Sequence, residues 1–121
     1  METAAERLAE RVAAVASEHR AKDVLVLDLR DLTVITDFFV IASGGETTLQ
    51  VRAVAQAIID DLEEDEIRYL RREGWEDAGW ILLDYGSVVV HIFLDEQRDY
   101  YQLERLWGDA PQRRVGEWPK P

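Results

Sequence analysis

Apolar side chains recur every three or four positions along two stretches of the chain, residues 3–20 and 47–62. This spacing places them on one side of a helix, so both stretches are predicted to be amphipathic helices. Each begins with a threonine, Thr3 or Thr47, that is followed three positions later by Glu or Gln. That is the spacing of a capping box, in which the two side chains satisfy free amides of the first helical turn.

Runs of β-branched and aromatic residues predict the strands. Two of them cover residues 23–29 and 38–42, and a short candidate covers 67–70. The most apolar stretch is 79–94, where two runs are separated by a short turn that contains Gly86. Because glycine can adopt the positive φ that a tight turn often needs, this stretch is predicted to be a β-hairpin.

Three further segments complete the prediction. The acidic run 60–66 opposes the helix dipole if it ends a helix, so it is predicted to be a frayed end and a solvated turn. A third helix is predicted from Asp95 to Trp107. Residues 108–121 contain all three prolines and no apolar period, and are predicted to be an extended tail. The order of elements predicts one α/β domain over residues 1–107, with helices packed on a mixed sheet.

The composition is that of a globular domain with its own core: 121 residues, 47% of them hydrophobic. Cysteine is absent, which excludes disulfides and thiolate metal sites and suits a reducing cytosol. No signal-peptide pattern opens the chain, and no apolar stretch approaches the ~20 residues that span a bilayer. A cytoplasmic location is therefore expected.

Charge changes the range of expected partners. The 25 acidic residues outnumber the 14 basic ones, for a net charge of −11. Phosphate backbones repel such a chain, so direct binding to nucleic acid is disfavoured and little direct contact with it is expected. Acidic domains associate readily with basic proteins, but such a charge can also serve only solubility, and composition leaves both interpretations open.

The turn Ser43-Gly44-Gly45 lies between a predicted strand and a predicted helix, where backbone amides can bind an anion. The segment matches neither glycine-rich phosphate-binding pattern, and Glu46 repels an anion there. A plain connecting turn is favoured. Alternating carboxylates on a following strand, which two-metal nucleotide chemistry needs, are also absent from the sequence, so no metal or other cofactor is expected.

Two polar residues stand within the apolar hairpin. His91 has a single other histidine, His19, in the chain, and neither a metal-ligand set nor a catalytic triad is evident around it. It is predicted to be a hydrogen-bonded structural or interface residue. Asp84 is costly if buried unpaired, so it caps the turn, pairs with an arginine such as Arg98, or awaits a cationic partner.

Several segments taken together resemble the bacterial ribosomal silencing factor family, which is related to the plant iojap protein. The likeness runs from about residue 5 to 110, and its segments are Thr36–Gly44, Glu73–Gly74, Gly79–Gly86, Val90–Phe93, Arg98–Glu104 and Leu106–Trp107.

The resemblance implies a nucleotidyltransferase-like sheet that has lost catalysis. It also implies binding to the large ribosomal subunit through universal ribosomal protein fourteen at the intersubunit face, where occupancy blocks the small subunit and lowers translation in poor nutrient conditions. Homodimers are known in the family. Two alternatives remain: a nucleotide-binding or nucleotidyltransferase-type enzyme, and a homodimerisation module without a ribosomal role.

The hairpin is the predicted contact surface, because large aromatic side chains with polar groups are frequent where proteins meet. Side chains alternate along a strand, so one hairpin face is expected to contact the partner while the other supports the core helices. The predicted contact residues are Trp80, Leu82 and Asp84 on one strand, His91 and Phe93 on the next, Tyr85 at the turn, and Arg98 and Tyr101 alongside.

Overall fold

The computed structural model describes residues 2–115 and contains six strands and four helices within that range. In chain order these are α1 (Ala4–Glu18), β1 (Lys22–Asp28), β2 (Phe38–Gly45), α2 (Thr48–Glu63), β3 (Arg71–Glu73), β4 (Trp80–Asp84), β5 (Val88–Leu94), α3 (Asp95–Tyr101), α4 (Leu103–Leu106) and β6 (Gln112–Arg114).

The six strands form one mixed sheet in the order β3-β4-β5-β2-β1-β6. The central pair, β2 and β5, is parallel, and every other pair is antiparallel. This arrangement confirms the predicted α/β class with helices on a mixed sheet.

Helices α1 and α2 begin at the predicted caps. The Thr3 hydroxyl accepts a hydrogen bond from the Glu6 amide at 3.1 Å. Thr47 and Gln50 form a full capping box at the start of α2. Both helices cover the same face of the sheet, which we call the helix face. Their buried stripes pack there against alternate strand residues, among them Val40, Ile81, Val90 and Ile92.

The opposite side of the sheet, which we call the second face, has a smaller apolar cluster. Leu25, Leu27, Ile41 and Phe93 are its buried members on the strands. The segment after β5 supplies part of the cover, since Leu103, Trp107 and Ala110 pack against this cluster. The rest of the second face lies beside the loop that joins β1 to β2.

Several of the predicted boundaries were wrong. The short strand runs over Arg71–Glu73 rather than 67–70, because its position is set by pairing with β4, where Arg71 lies opposite Asp84. Ile67 and Tyr69 instead pack against the core beneath the helices. An apolar run had marked the segment that approaches the edge strand, not the strand itself.

The acidic run was also placed wrongly in part. Helix α2 continues to Glu63, because Leu62 is fully buried and holds this last turn against the core. Arg11 of α1 adds ion pairs to Asp61 and Asp65, both at 2.7 Å. The prediction of a solvated turn holds only from Glu64 onward.

The predicted last helix is interrupted. Gln102 has a left-handed conformation with φ of 46°, which ends α3 and leaves α4 as a separate short helix. The predicted tail contains a strand as well: β6 pairs with β1, with Gln112 opposite Leu27. Residues 116–121 of that tail lie outside the described range.

Candidate protein-interaction surface

Strand alternation divides the hairpin as expected. Ile81 and Leu83 point into the helix-face core, so Trp80, Leu82 and Asp84 point to the second face. The register places Trp80 opposite Phe93, and Leu82 opposite His91. The second face therefore holds five of the predicted contact residues: Trp80, Leu82, Asp84, His91 and Phe93.

Trp80 belongs to a group of aromatic rings that reaches the solvent. Its ring centroid lies 4.8 Å from that of Phe93 and 5.0 Å from that of Tyr101. Tyr101 in turn lies 5.0 Å from Tyr100 in an edge-on contact. Tyr100 is 79% exposed and Tyr101 49%, whereas Phe93 is fully buried and supports the others from below. We call Trp80, Tyr100 and Tyr101 the aromatic patch.

Tyr85 does not join the other predicted residues. It lies on the helix face, where it packs against the core and makes an edge-on contact with Tyr69 at 6.5 Å. Burial raises the pKa of its phenol to about 12. Tyr85 was predicted at the turn as part of the contact face, but its side chain lies on the side opposite Trp80, because residue 85 follows Asp84 and side chains alternate.

Arg98 is a buried residue of α3 that connects it to neighbouring elements. Its guanidinium donates to the Ser43 hydroxyl at 3.1 Å and to the Glu104 carboxylate at 3.1 Å. These bonds tie α3 to the end of β2 and to α4. Arg98 is thus placed to hold the aromatic patch in position rather than to present a charge to a partner.

Asp84 caps the hairpin turn. Its Oδ1 accepts from the Gly86 amide at 2.8 Å, and its Oδ2 lies 3.7 Å from a guanidinium nitrogen of Arg71 on β3. The first two of the three sequence-based alternatives are therefore correct: Asp84 caps the turn, and it also pairs with an arginine. The arginine beside it is Arg71, because β3 pairs with β4 directly and Arg98 is bound elsewhere.

His91 is 3% exposed and lies beneath the aromatic patch. Its Nδ1 accepts a hydrogen bond from the Trp80 indole N–H at 3.0 Å, which confirms the predicted hydrogen-bonded role. The Phe39 ring contacts the imidazole from the neighbouring strand at a centroid distance of 4.4 Å. Burial lowers the pKa of His91 to about 3, so the imidazole is neutral at physiological pH and can act as an acceptor.

Beside His91, the second face opens into a groove with room of about 190 Å³. Its walls are mainly apolar, and Arg71 and Asp84 stand among them. The lining residues are Leu29, Thr33, Ile35, Thr36, Phe39, Arg71, Leu82, Asp84, Val89, His91 and Trp107.

Sequence reasoning missed the loop beside this groove. Val34 and Ile35, between β1 and β2, are almost wholly exposed. The available signal was a pair of β-branched residues outside any predicted strand. Phe39, whose ring centroid lies 5.9 Å from that of Trp107, was also missed as a member of this face. The two rings come from elements far apart in the chain.

Ser43, Gly44 and Gly45 were predicted to form a turn, but they are the last residues of strand β2, because they pair with β5 as far as Leu94. The protein itself occupies the amides that follow them. The Gln50 side-chain oxygen accepts from the amides of Glu46 and Thr47, which are the groups an anion would use. A side chain at Gly44 would meet the Val51 backbone at 2.9 Å, so this glycine allows α2 to approach the sheet. The segment is therefore the end of a strand that leads into α2, and only the plain connecting role that the sequence favoured is retained.

One cluster of carboxylates, Glu2, Glu6 and Glu10 on and before α1, is close enough within residues 2–115 to hold a metal ion. Arg113 of β6 lies 3.7 Å from Glu6 and 3.5 Å from Glu10, so a protein cation already approaches these acids. No helix in that same range has the length and apolar character that crossing a membrane requires.

Most of the chain is similar in sequence to known proteins. Residues 2–121 match the family model described as "Ribosomal silencing factor during starvation". The Bacillus subtilis protein named ribosomal silencing factor RsfS is 43% identical over 99 residues, which cover 82% of this chain and 83% of the relative. The chloroplastic protein Iojap of Zea mays is 37% identical over 99 residues, which cover 82% of this chain and 42% of that longer protein.

The fold also matches solved structures. A crystal structure of a Chromobacterium violaceum protein superposes with a TM-score of 0.82 at 33% identity, covering 89% of this chain and 88% of that one. A Bacillus halodurans protein superposes with a TM-score of 0.73 at 36% identity, covering 85% and 93%. The match of the whole described chain to the family model, together with these relatives, shows that the chain belongs to the ribosomal silencing factor family.

Proposed function

We propose that this protein represses translation by binding the large ribosomal subunit at its intersubunit face, through universal ribosomal protein fourteen, so that the small subunit cannot join. The proposal rests on family membership for the ribosomal role and on the second face for the site of contact. The contact residues we propose are Trp80, Leu82, Asp84 and Tyr101, with His91, Phe93 and Arg98 as their support.

The aromatic patch is the observation that carries this assignment. Tyr101 is exposed on a firm base, because Trp80 and Phe93 pack against its ring, and the more exposed Tyr100 packs against Tyr101. Such large, pre-ordered aromatic groups lose little conformational entropy on binding and often supply much of the binding energy at protein interfaces. The helix face has its apolar stripes buried against α1 and α2 and is not available in the same way.

The charge of the chain favours a protein as the direct contact on the ribosome. With a net charge of −11, the domain is repelled by rRNA and attracted to basic ribosomal proteins. Repression then follows from occupancy: a domain bound where the subunits meet prevents their contact, and no chemical step is involved. Inhibition should saturate at about one protein per large subunit.

The direct test compares two exposed positions. Tyr101→Ala removes a patch residue, and Leu49→Ala removes an apolar side chain on α2, away from the second face, that is even more exposed than Tyr101. An interface anchor costs ~2 kcal/mol on truncation, about thirtyfold in affinity. We expect Tyr101→Ala to weaken co-sedimentation with purified large subunits by about that factor, and Leu49→Ala to bind as the unaltered protein does.

A subunit-joining assay with purified components tests the mechanism. The unaltered protein should block joining stoichiometrically and without added nucleotide. Substoichiometric inhibition or a strict nucleotide requirement would support the enzyme alternative instead. Self-association that involves the patch, with no binding to large subunits, would support the dimerisation module.

A further inference from the structure

The hydrogen bond between Trp80 and His91 joins the aromatic patch to the interior of the sheet. We propose that His91 is a positioning residue, whose neutral imidazole holds the Trp80 indole in the orientation that partner binding requires. This inference rests on the proposed function, because it assigns a role within the same contact surface. It concerns a residue that does not itself reach the partner.

Geometry makes His91 suited to this role and to no direct contact. At 3% exposure the ring is inaccessible to a partner. It is held between Phe39 on β2, at 4.4 Å, and Trp80 on β4, with which its Nδ1 bonds at 3.0 Å. Trp80 then contacts Tyr101 at 5.0 Å. A continuous series of rings therefore leads from the core of the sheet through His91 to the exposed patch.

The bond also determines which part of Trp80 is available. Because the indole N–H donates inward to His91, the ring is fixed and turns its apolar surface toward Tyr101 and the solvent. Without an acceptor at position 91, the N–H would take a water molecule and the ring would sample other orientations. Binding would then have to order it again, which raises the cost of association.

Stability does not explain why a histidine occupies this position. Since Nδ1 is the acceptor, the hydrogen of the neutral ring is on Nε2. Within residues 2–115 this buried Nε2 has no hydrogen-bond partner. An unpaired buried donor is unfavourable, and an apolar side chain of similar size would avoid it. Trp80 is only partly buried, so its N–H could still reach water after such a change.

The first test is His91→Leu, with His19→Leu at the exposed histidine as the matched control. We expect His91→Leu to bind purified bacterial large subunits three- to tenfold more weakly, because losing about one hydrogen bond changes the affinity by that factor. Its thermal midpoint should be unchanged or higher. In NMR spectra, the Trp80 indole N–H signal, identified by its loss in Trp80→Phe, should exchange faster with water. His19→Leu should change none of these.

A second pair of variants tests whether the position of the hydrogen-bond acceptor matters, rather than the size of the side chain. Asn can place its side-chain oxygen where Nδ1 lies, whereas the longer Gln places its polar end near the position of Nε2. His91→Asn should therefore restore most of the binding and the slow indole exchange, while His91→Gln should restore neither. This comparison remains decisive if His91→Leu fails to fold.

The outcomes are distinct. Normal binding by folded His91→Leu, or equal binding by the Asn and Gln variants, overturns the positioning role while Tyr101→Ala continues to test the proposed function. A further loss of binding on adding His91→Leu to Trp80→Phe also overturns it, because the proposed effect acts through the indole N–H. Failure of the unaltered protein to bind large subunits overturns the proposed function and this inference with it.

Discussion

At the scale of single residues, the buried histidine makes the fold sensitive to acid. Burial lowers the pKa of His91 to about 3, below its ordinary 6.5, so the unfolded chain takes up this proton first as pH falls. The contribution of the neutral imidazole to the free energy of unfolding is fully present above pH 6.5 and is lost as the pH decreases toward 3. The loss amounts to about 1.4 kcal/mol per pH unit, or about 2 kcal/mol at pH 5.

Urea unfolding at pH 7 and pH 5 measures this effect when the unaltered protein is compared with His91→Leu. The comparison is needed because carboxylates also titrate in this range. The unaltered protein should lose about 2 kcal/mol more than the variant between the two pH values. Equal losses would mean that His91 is protonated in the folded state near its ordinary pKa.

Gly74, which follows the edge strand β3, is a second residue with a specific requirement. It has a φ of 78°, and a Cβ there would lie 2.0 Å from the Trp80 carbonyl oxygen. Gly74→Ala should therefore destabilise the fold by at least about 2 kcal/mol, from the left-handed backbone and the clash together. Gly79→Ala is the control, because a Cβ at Gly79 meets its nearest neighbour at an ordinary 3.5 Å. Chemical denaturation of the two variants distinguishes these cases.

At the scale of elements, a buried charge connects α3 to α4 across the break at Gln102. Arg98 binds Glu104 on α4 and Ser43 at the end of β2, and so it holds the short helix against the second face. Removing one member of a buried ion pair typically costs 3–5 kcal/mol, since the other is left unpaired. Glu104 is partly exposed and can recover some hydration, so we expect about 2–3 kcal/mol for Arg98→Leu.

Hydrogen exchange measured by mass spectrometry should locate this loss. In Arg98→Leu the amides of residues 102–107 should exchange faster, while those of β2 and β5 change less, because the central strands keep their ladder. Arg105→Leu, at an exposed position on the same short helix, should leave the pattern unaltered. Uniform faster exchange across the sheet in Arg98→Leu would show that Arg98 supports the whole fold rather than one element.

At the scale of the whole molecule, the net charge should affect mainly the association rate, whereas the aromatic patch should affect mainly the dissociation rate. The net charge of −11 accelerates the encounter with a basic partner. Salt weakens this attraction, because at physiological ionic strength it screens exposed charges that are more than ~8 Å apart. The association rate should fall as salt rises. Dissociation should change less, because the contact at the patch is mainly apolar.

Surface-based kinetics with the isolated ribosomal protein can test this separation. Tyr101→Ala should raise the dissociation rate and leave the salt dependence of association nearly unchanged, because it removes no charge. A salt-independent association rate would argue against electrostatic attraction as the source of the encounter.

Local sequence patterns by themselves determined the identity of most elements. The periods of helices α1 and α2, their threonine caps and the hairpin turn depend on residues within four positions of one another, and the structure contains them as predicted. Alternation along β4 likewise separated Trp80 from Ile81. These features follow from the geometry of a single helix or strand, which needs no knowledge of its neighbours.

Only the tertiary structure decided which elements meet. The strand order, the pairing of β6 with β1 and the position of β3 depend on hydrogen bonds between segments distant in the chain. The burial of Arg98 and the bond from Trp80 to His91 likewise require β2, β4, β5 and α3 to be in place. A polar residue in an apolar run shows that a partner is needed, but the partner is supplied by whichever strand or helix packs beside it.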